Sequence, residues 1–155
     1  MSRAMAAMAR LAKVRQDTAM AKARRLASEF AKAKDLNEQV IQYADQYGEA
    51  AVRVAQQGVS VAMLRDTMAF RVRLLAGAKD QELANADLFK RFQEANRDAL
   101  SAKLKSQGLD RAMERRKREA EREAEQSEWQ EIEDGFSHRK NPFAPSEEGA
   151  GTKDA

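Results

Sequence analysis

Residues 19–60 read AMAKARRLASEFAKAKDLNEQVIQYADQYGEAAVRVAQQGVS. Within them Ala19, Ala23, Leu26, Phe30, Ala33, Asn37, Val40, Ala44, Tyr47, Ala51 and Val54 recur at alternating steps of four and three. On an α-helix that spacing holds one stripe of side chains against a single partner, the seam of a left-handed coiled coil. The same steps run backward through Gln16, Ala12, Ala9 and Met5. Many of these seam positions are alanine, so the partner helix can approach closely. Asn37 is a polar seam residue of the kind that fixes register at some cost in stability.

The stretch ends on its own punctuation. Gly58 can take a positive φ and stop the helix, and Ser60 can cap the next one. The second seam is read as Val61, Leu64, Met68, Leu75, Ala78, Phe89, Phe92 and Ala99, with Arg71, Glu82, Asn85 and Asn96 as poor members. So short a connection makes the helices antiparallel neighbours, placing Val40 near Ala78 and Leu26 near Phe92. The predicted fold is therefore all-α, a long antiparallel two-helix coiled-coil hairpin over residues 1–134. Its first helix covers about 5–56, its turn 57–60 and its second helix about 60–130. A disordered C-terminal tail is expected over 135–155, where Gly135, Pro142, Pro145, Gly149 and Gly151 end regular structure.

Register arithmetic leaves part of the second helix without a partner. The first helix runs out opposite about Gly108 to Arg115, yet helical composition continues to about Ile132. Residues 111–131, RAMERRKREAEREAEQSEWQE, have almost no apolar seam. Their Glu/Arg pairs at i, i+4 contribute only about 0.2–0.5 kcal/mol each, so this segment is expected to be helical but weakly held.

Composition narrows the function. The chain has 155 residues, of which 34% are charged and 6% aromatic, a mixture typical of long helices and coiled coils. Its 28 basic and 25 acidic residues give a net charge of +3, with the signs mostly alternating as on a solvated helix surface. A nucleic-acid binder concentrates its basic charge on one face, so no nucleic-acid partner is expected. There is no cysteine, which excludes disulfides, thiolate nucleophiles and cysteine-held metals. No apolar run reaches the length of a membrane span. His138 is the only histidine and falls in the predicted tail. No nucleophile can be paired with a base, and the glycines are isolated rather than gathered into a phosphate loop. Carboxylate pairs such as Glu119 and Glu123 lie on a charged helix, whereas a catalytic pair needs burial to separate its pKa values. The expectation is a protein-binding rod rather than an enzyme, with no cofactor and no metal.

Two features point to binding surfaces. Arg115, Arg116, Lys117 and Arg118 form a cationic collar suited to an acidic protein surface. Tyr43 and Tyr47 stand four residues apart and share a helix face, with Tyr47 in the seam and Tyr43 toward the flank. Phe70, Leu74 and Gly77 form a stripe beside the second seam. Register sets residues 70–77 across from about 41–48, so the two rows can join into one exposed apolar patch of the kind that marks interaction sites.

The segment YADQYGE at 43–49 resembles the Tyr-x-x-Glu/Gln-Tyr element of the FliJ family, the small coiled-coil component of the bacterial flagellar type III export apparatus. FRVRLLAGAKDQ at 70–81 is similar in placement to that family's Phe-x-x-x-Leu segment, and EREAEQSEWQEIEDGF to its polar C-terminal helix. The resemblance covers about Leu11 to Arg139. Gly48 and the alanine-rich first helix depart from the family pattern. The resemblance implies a cytoplasmic stalk, peripherally associated with the inner membrane at the export apparatus. It further implies binding to the hexameric export ATPase, to the export-gate protein FlhA and to export chaperones. Gate contact then falls on Val40, Tyr43, Tyr47, Phe70 and Leu74, with Leu36 and Gln81 held loosely, and ring contact on Arg115, Arg116 and Arg118. The equivalent stalk of a virulence injectisome and an unrelated structural coiled coil are the alternative readings.

Overall fold

The computed structural model describes residues 3–139, so the expected tail from 140 onward lies outside the described residues. Two helices are joined by four residues: α1 is Arg3–Gln56 and α2 is Val61–Arg139. Among these residues no helix is long and apolar enough to cross a membrane. The chain divides after Asp110 into two compact units.

The connection is built as its sequence implies. The N–H of Gln57 donates to the Val54 carbonyl at 3.0 Å and that of Gly58 to Ala55 at 3.3 Å, tightening the last turn of α1. Gly58 then reverses the chain at φ 94°, a left-handed conformation that side chains with a Cβ resist. Ser60 Oγ accepts the Met63 N–H at 3.3 Å and caps α2. A Cβ added at Gly58 would meet no other atom within 4 Å, so any cost of adding it is conformational. Gly58→Ala is therefore expected to lower stability by about 1 kcal/mol, read as a lower urea midpoint with an unchanged slope.

The first unit is an antiparallel hairpin with a thin core. Ala23, Leu26, Ala95 and Ala99 form its buried cluster, with Met20, Leu88 and Phe92 packed against it. Among the described residues Leu26 is the only large apolar side chain that is buried, and Ala44 and Ala78 extend the seam toward the turn. The expected register holds: Leu26 and Phe92 belong to the same cluster, and Val40 and Ala78 line the same groove. Phe30 meets Phe89 across the helices with ring centroids 5.1 Å apart. Polar residues are also shut into the seam, namely Gln16, Asn37, Asn85 and Ser106, and Gln81 donates to Asn85 Oδ1 at 2.9 Å.

One row of the second seam differs from the expectation. Leu64, Ala78, Phe92 and Ala99 do face α1, with Arg71 and Asn85, but the row between them is Thr67, Leu74, Leu88, Ala95, Ala102 and Leu109. Val61, Met68, Phe89, Glu82 and Asn96 are exposed instead, while Leu75 is half-buried beside Leu74, as expected. α2 is thus rotated from the expected phase by about half a residue's turn on the helix. The expected row carried the larger apolar side chains, but following it leads to Glu82, Asn96, Lys103 and Asp110. The observed row, broken only by Thr67 and the exposed Gln81, runs through leucines and alanines to Leu109 without meeting a charge. On α1, Val54 is likewise 45% exposed, and Ala55 takes the inward place beside the turn.

The second unit, from Arg111, is helical to Arg139. α2 thus ends nine residues beyond the expected limit near 130 and passes through Gly135, and His138 stands in its last turn rather than in a tail. Gly135 keeps a helical φ, since Gly58 is the positive-φ glycine of the described chain. A glycine inside a helix costs only about 1 kcal/mol relative to alanine, and the first proline of the chain is Pro142. Ser137 Oγ donates to the carbonyls of Glu133 and Asp134, each at 3.0 Å, which occupies the last turn. Every residue from Glu114 to Arg139 is exposed. With no buried apolar contact in this segment, its amides should exchange with solvent far faster than those around Leu26 and Ala95. Exchange mass spectrometry checks this, and equal protection of both regions would contradict it.

Candidate functional site

The turn-proximal half of the hairpin carries a row of three aromatic rings. Tyr43 and Tyr47 lie one turn apart on α1, their ring centroids 6.0 Å apart and their planes 28° from parallel. Tyr47 belongs to the seam and is half-buried. Its ring meets Phe70 of α2 edge-on, at 5.3 Å and 70°, a favoured geometry between an electron-rich face and a positive edge. The outer members remain open to solvent: Tyr43 is 53% exposed and Phe70 40%. Two seam-adjacent positions, read at seven-residue steps, generate this flank. On α1 they are Leu36, Tyr43 and Ala50, and on α2 Met63, Phe70 and Gly77.

The rings are bordered by apolar hollows on both sides. Away from the turn, Leu36, Val40, Leu74 and Gly77 line a shallow groove of about 440 Å³ with Asn37 and Gln81 at its floor and edge. Toward the turn, Tyr47, Val54, Val59, Met63 and Leu64 line another of about 200 Å³. Of the residues singled out from sequence, the structure brings Tyr43, Tyr47 and Phe70 into direct ring contact and places Val40 and Leu74 together in the groove. Leu74 is not on a stripe outside the seam, as expected. It is a half-buried member of the inward row, and only part of it is offered to the groove. Leu36, well exposed, is the larger apolar wall. Met63 escaped the sequence reading, although the seven-residue step through Phe70 and Gly77 leads to it.

The opposite flank has a different character. Arg71 holds a seam position, and its Nη2 donates to Asp45 Oδ1 of α1 at 3.3 Å. The side chain crosses α1 over Gly48, where an added Cβ would stand 2.7 Å from Arg71 Nε and 2.8 Å from its Cδ. That Nε is buried and has no acceptor, an arrangement that costs about 1–3 kcal/mol for a neutral group and more for a charged one. Gly48 therefore supplies the room in which a guanidinium stem lies against the helix.

The cationic collar lies in the second unit. Arg111, Arg115 and Arg118 line a surface hollow of about 400 Å³ with Glu114. Arg118 donates to Glu114 Oε1 at 2.6 Å, so part of the collar's charge is already compensated. Arg115 and Arg116 are exposed on the same helix. No family model, curated protein or solved structure matches the chain.

Proposed function

We propose that this chain is a coiled-coil stalk and escort component of the bacterial flagellar type III export apparatus, acting by binding proteins and not by catalysis. The observation that carries the reading is the row Tyr43–Tyr47–Phe70 on a two-helix hairpin, its outer two rings exposed. Aromatic anchors bordered by apolar hollows gain the most from desolvation against a partner, and a seam built largely of alanine leaves them little structural work. The tyrosine pair and the phenylalanine fall on the segments that resemble the FliJ family. On this reading the row and the Leu36–Val40–Leu74 groove dock on the export gate, FlhA. The exposed collar of Arg115, Arg116 and Arg118 meets the export ATPase ring, and export chaperones are further partners. The chain works in the cytoplasm at the inner membrane, held there through the apparatus.

Co-purification of the full chain with the cytoplasmic domain of FlhA and, separately, with the export ATPase tests the proposal. Retention on both is expected. Retention on an injectisome ATPase and gate alone would move the chain to the virulence system. Retention on none would leave a structural coiled coil and contradict the proposal.

A further inference from the structure

We infer that Arg71, seated on Gly48 and paired with Asp45, is a positioning residue that sets the rotation of α2 about its own axis. It thereby decides whether Phe70 meets Tyr47 and the aromatic row exists. Among the inward-facing rows of the hairpin, Arg71 is the one charged residue. The rows are otherwise rich in alanine, and alanines discriminate poorly between neighbouring rotations because they present similar small bumps on either side. Beside Arg71, apolar content alone favours the other phase, because Met68 is more apolar than Thr67 while Leu74 and Leu75 are equivalent and both half-buried. The observed phase leaves Met68 39% exposed and seats Thr67 and Leu74 instead.

The geometry shows what opposes that preference. Arg71 belongs to both candidate seams, but it leans in opposite directions in the two. At 100° per residue, moving the seam from the Thr67–Leu74 side to the Met68–Leu75 side swings Arg71 from the Gly48 flank toward the tyrosine flank. In the observed phase its stem lies in the space that Gly48 leaves, and its Nη2 reaches Asp45. Only this level of α1 can receive it. One heptad away the place of Gly48 is taken by Ile41 or Ala55, and the place of Asp45 by Glu38 or Val52. A Cβ at 2.7 Å from Nε would force this side chain to shift from its seat, and a leucine side chain there would fill it.

The consequence reaches the opposite flank through adjacent residues. Gly48 follows Tyr47, and Arg71 follows Phe70. Holding Arg71 over Gly48 therefore presents Phe70 to Tyr47 on the far side, at the observed 5.3 Å. Asp45 is exposed and Arg71 only half-buried, so this ion pair adds little stability; what it contributes is the direction in which the side chain leans. The role in docking rests on the function proposed above. The rotation itself is measured with no partner present, so the two ideas fail separately.

The test uses the full chain carrying Arg71→Leu, Gly48→Leu or Asp45→Asn. In the wild type, nuclear Overhauser contacts between the Tyr47 and Phe70 rings are expected. Because the chain has no cysteine, Met68→Cys supplies a single thiol that should react readily with a maleimide. With Arg71→Leu or Gly48→Leu, the ring contacts should disappear and the thiol at 68 should become several-fold slower. Helicity should persist, and the melting temperature of Arg71→Leu should not fall, because leucine suits a seam. Asp45→Asn, which keeps the stem in place, should weaken both signals only partly. Unchanged ring contacts and thiol reactivity in the two leucine variants would overturn the inference. So would loss of helicity in all three, since Arg71 would then hold the hairpin together rather than choose its rotation.

Discussion

On the proposed function, truncating Tyr43 or Phe70 to alanine is expected to leave the hairpin folded while removing most of its affinity for the export gate. Tyr43 projects from the flank, and its contact is with Tyr47 on the same helix. Substitutions at exposed positions of this kind change stability by about 0.5 kcal/mol or less. Phe70 also meets Tyr47 across the helices, which adds about 0.5–1.5 kcal/mol for such a pair. The thermal midpoint should therefore move little for Tyr43→Ala and modestly for Phe70→Ala. Binding should respond much more. A central aromatic anchor contributes about 2 kcal/mol or more to an interface, close to a thirtyfold loss in affinity. Calorimetric titration against the FlhA cytoplasmic domain, run beside thermal melts, separates the two quantities. Contact with the ATPase ring should survive both substitutions, because the collar lies in the other unit of the chain. Loss of helicity together with both interactions would mean that these rings are structural and that the patch is not a docking surface.

Leu26→Ala should show the reverse pattern. Leu26 is 8% exposed and sits among Ala23, Ala95 and Ala99. It is the one large aliphatic side chain in the buried cluster, with Met20, Leu88 and Phe92 packed against it, so its truncation opens a cavity in the seam. Leucine-to-alanine changes in such places cost about 2–5 kcal/mol, a large part of the stability of any small domain. The midpoint should fall by about 10 °C or more. At a temperature where the variant is still folded, affinity for the gate should match the wild type, since Leu26 is remote in sequence and packing from the aromatic row. A Leu26→Ala melt within a degree or two of wild type would show that the seam is not where the hairpin's stability resides.

The α1 seam, the Gly58–Ser60 turn and the antiparallel register were legible because each rests on a local rule with few competitors. Spacing set the face, a positive-φ glycine stopped the helix, a serine cap began the next, and a four-residue connection left no other way to pair. The second row of α2 was not read correctly because two rows alternate around Leu64, Arg71, Ala78, Asn85, Phe92 and Ala99. Met68 and Phe89 are larger than Thr67 and Leu88, while Leu75 and Leu74 are equivalent, so the bulkiest side chains lie on the row that stays outside. The charges further along the first of those rows were the better guide. Gly135 does not mark the end of α2, because a glycine stops a helix only where the chain turns left-handed, as it does at Gly58. At the candidate site, Tyr43, Tyr47 and Phe70 could be brought together by register arithmetic. The passage of Arg71 over Gly48 could not, because it depends on which way one side chain leans.

The most direct test of the account is a chemical-shift map of the chain, with its aromatic rings labelled, during titration with the cytoplasmic domain of FlhA. The account predicts that the ring signals of Tyr43, Tyr47 and Phe70 and the amides of residues 36–47 and 70–77 move together to saturation. The amides around Leu26 and Ala95 should stay in place. Saturable binding that moves other residues and leaves the three rings unperturbed, or no binding at all, would contradict it.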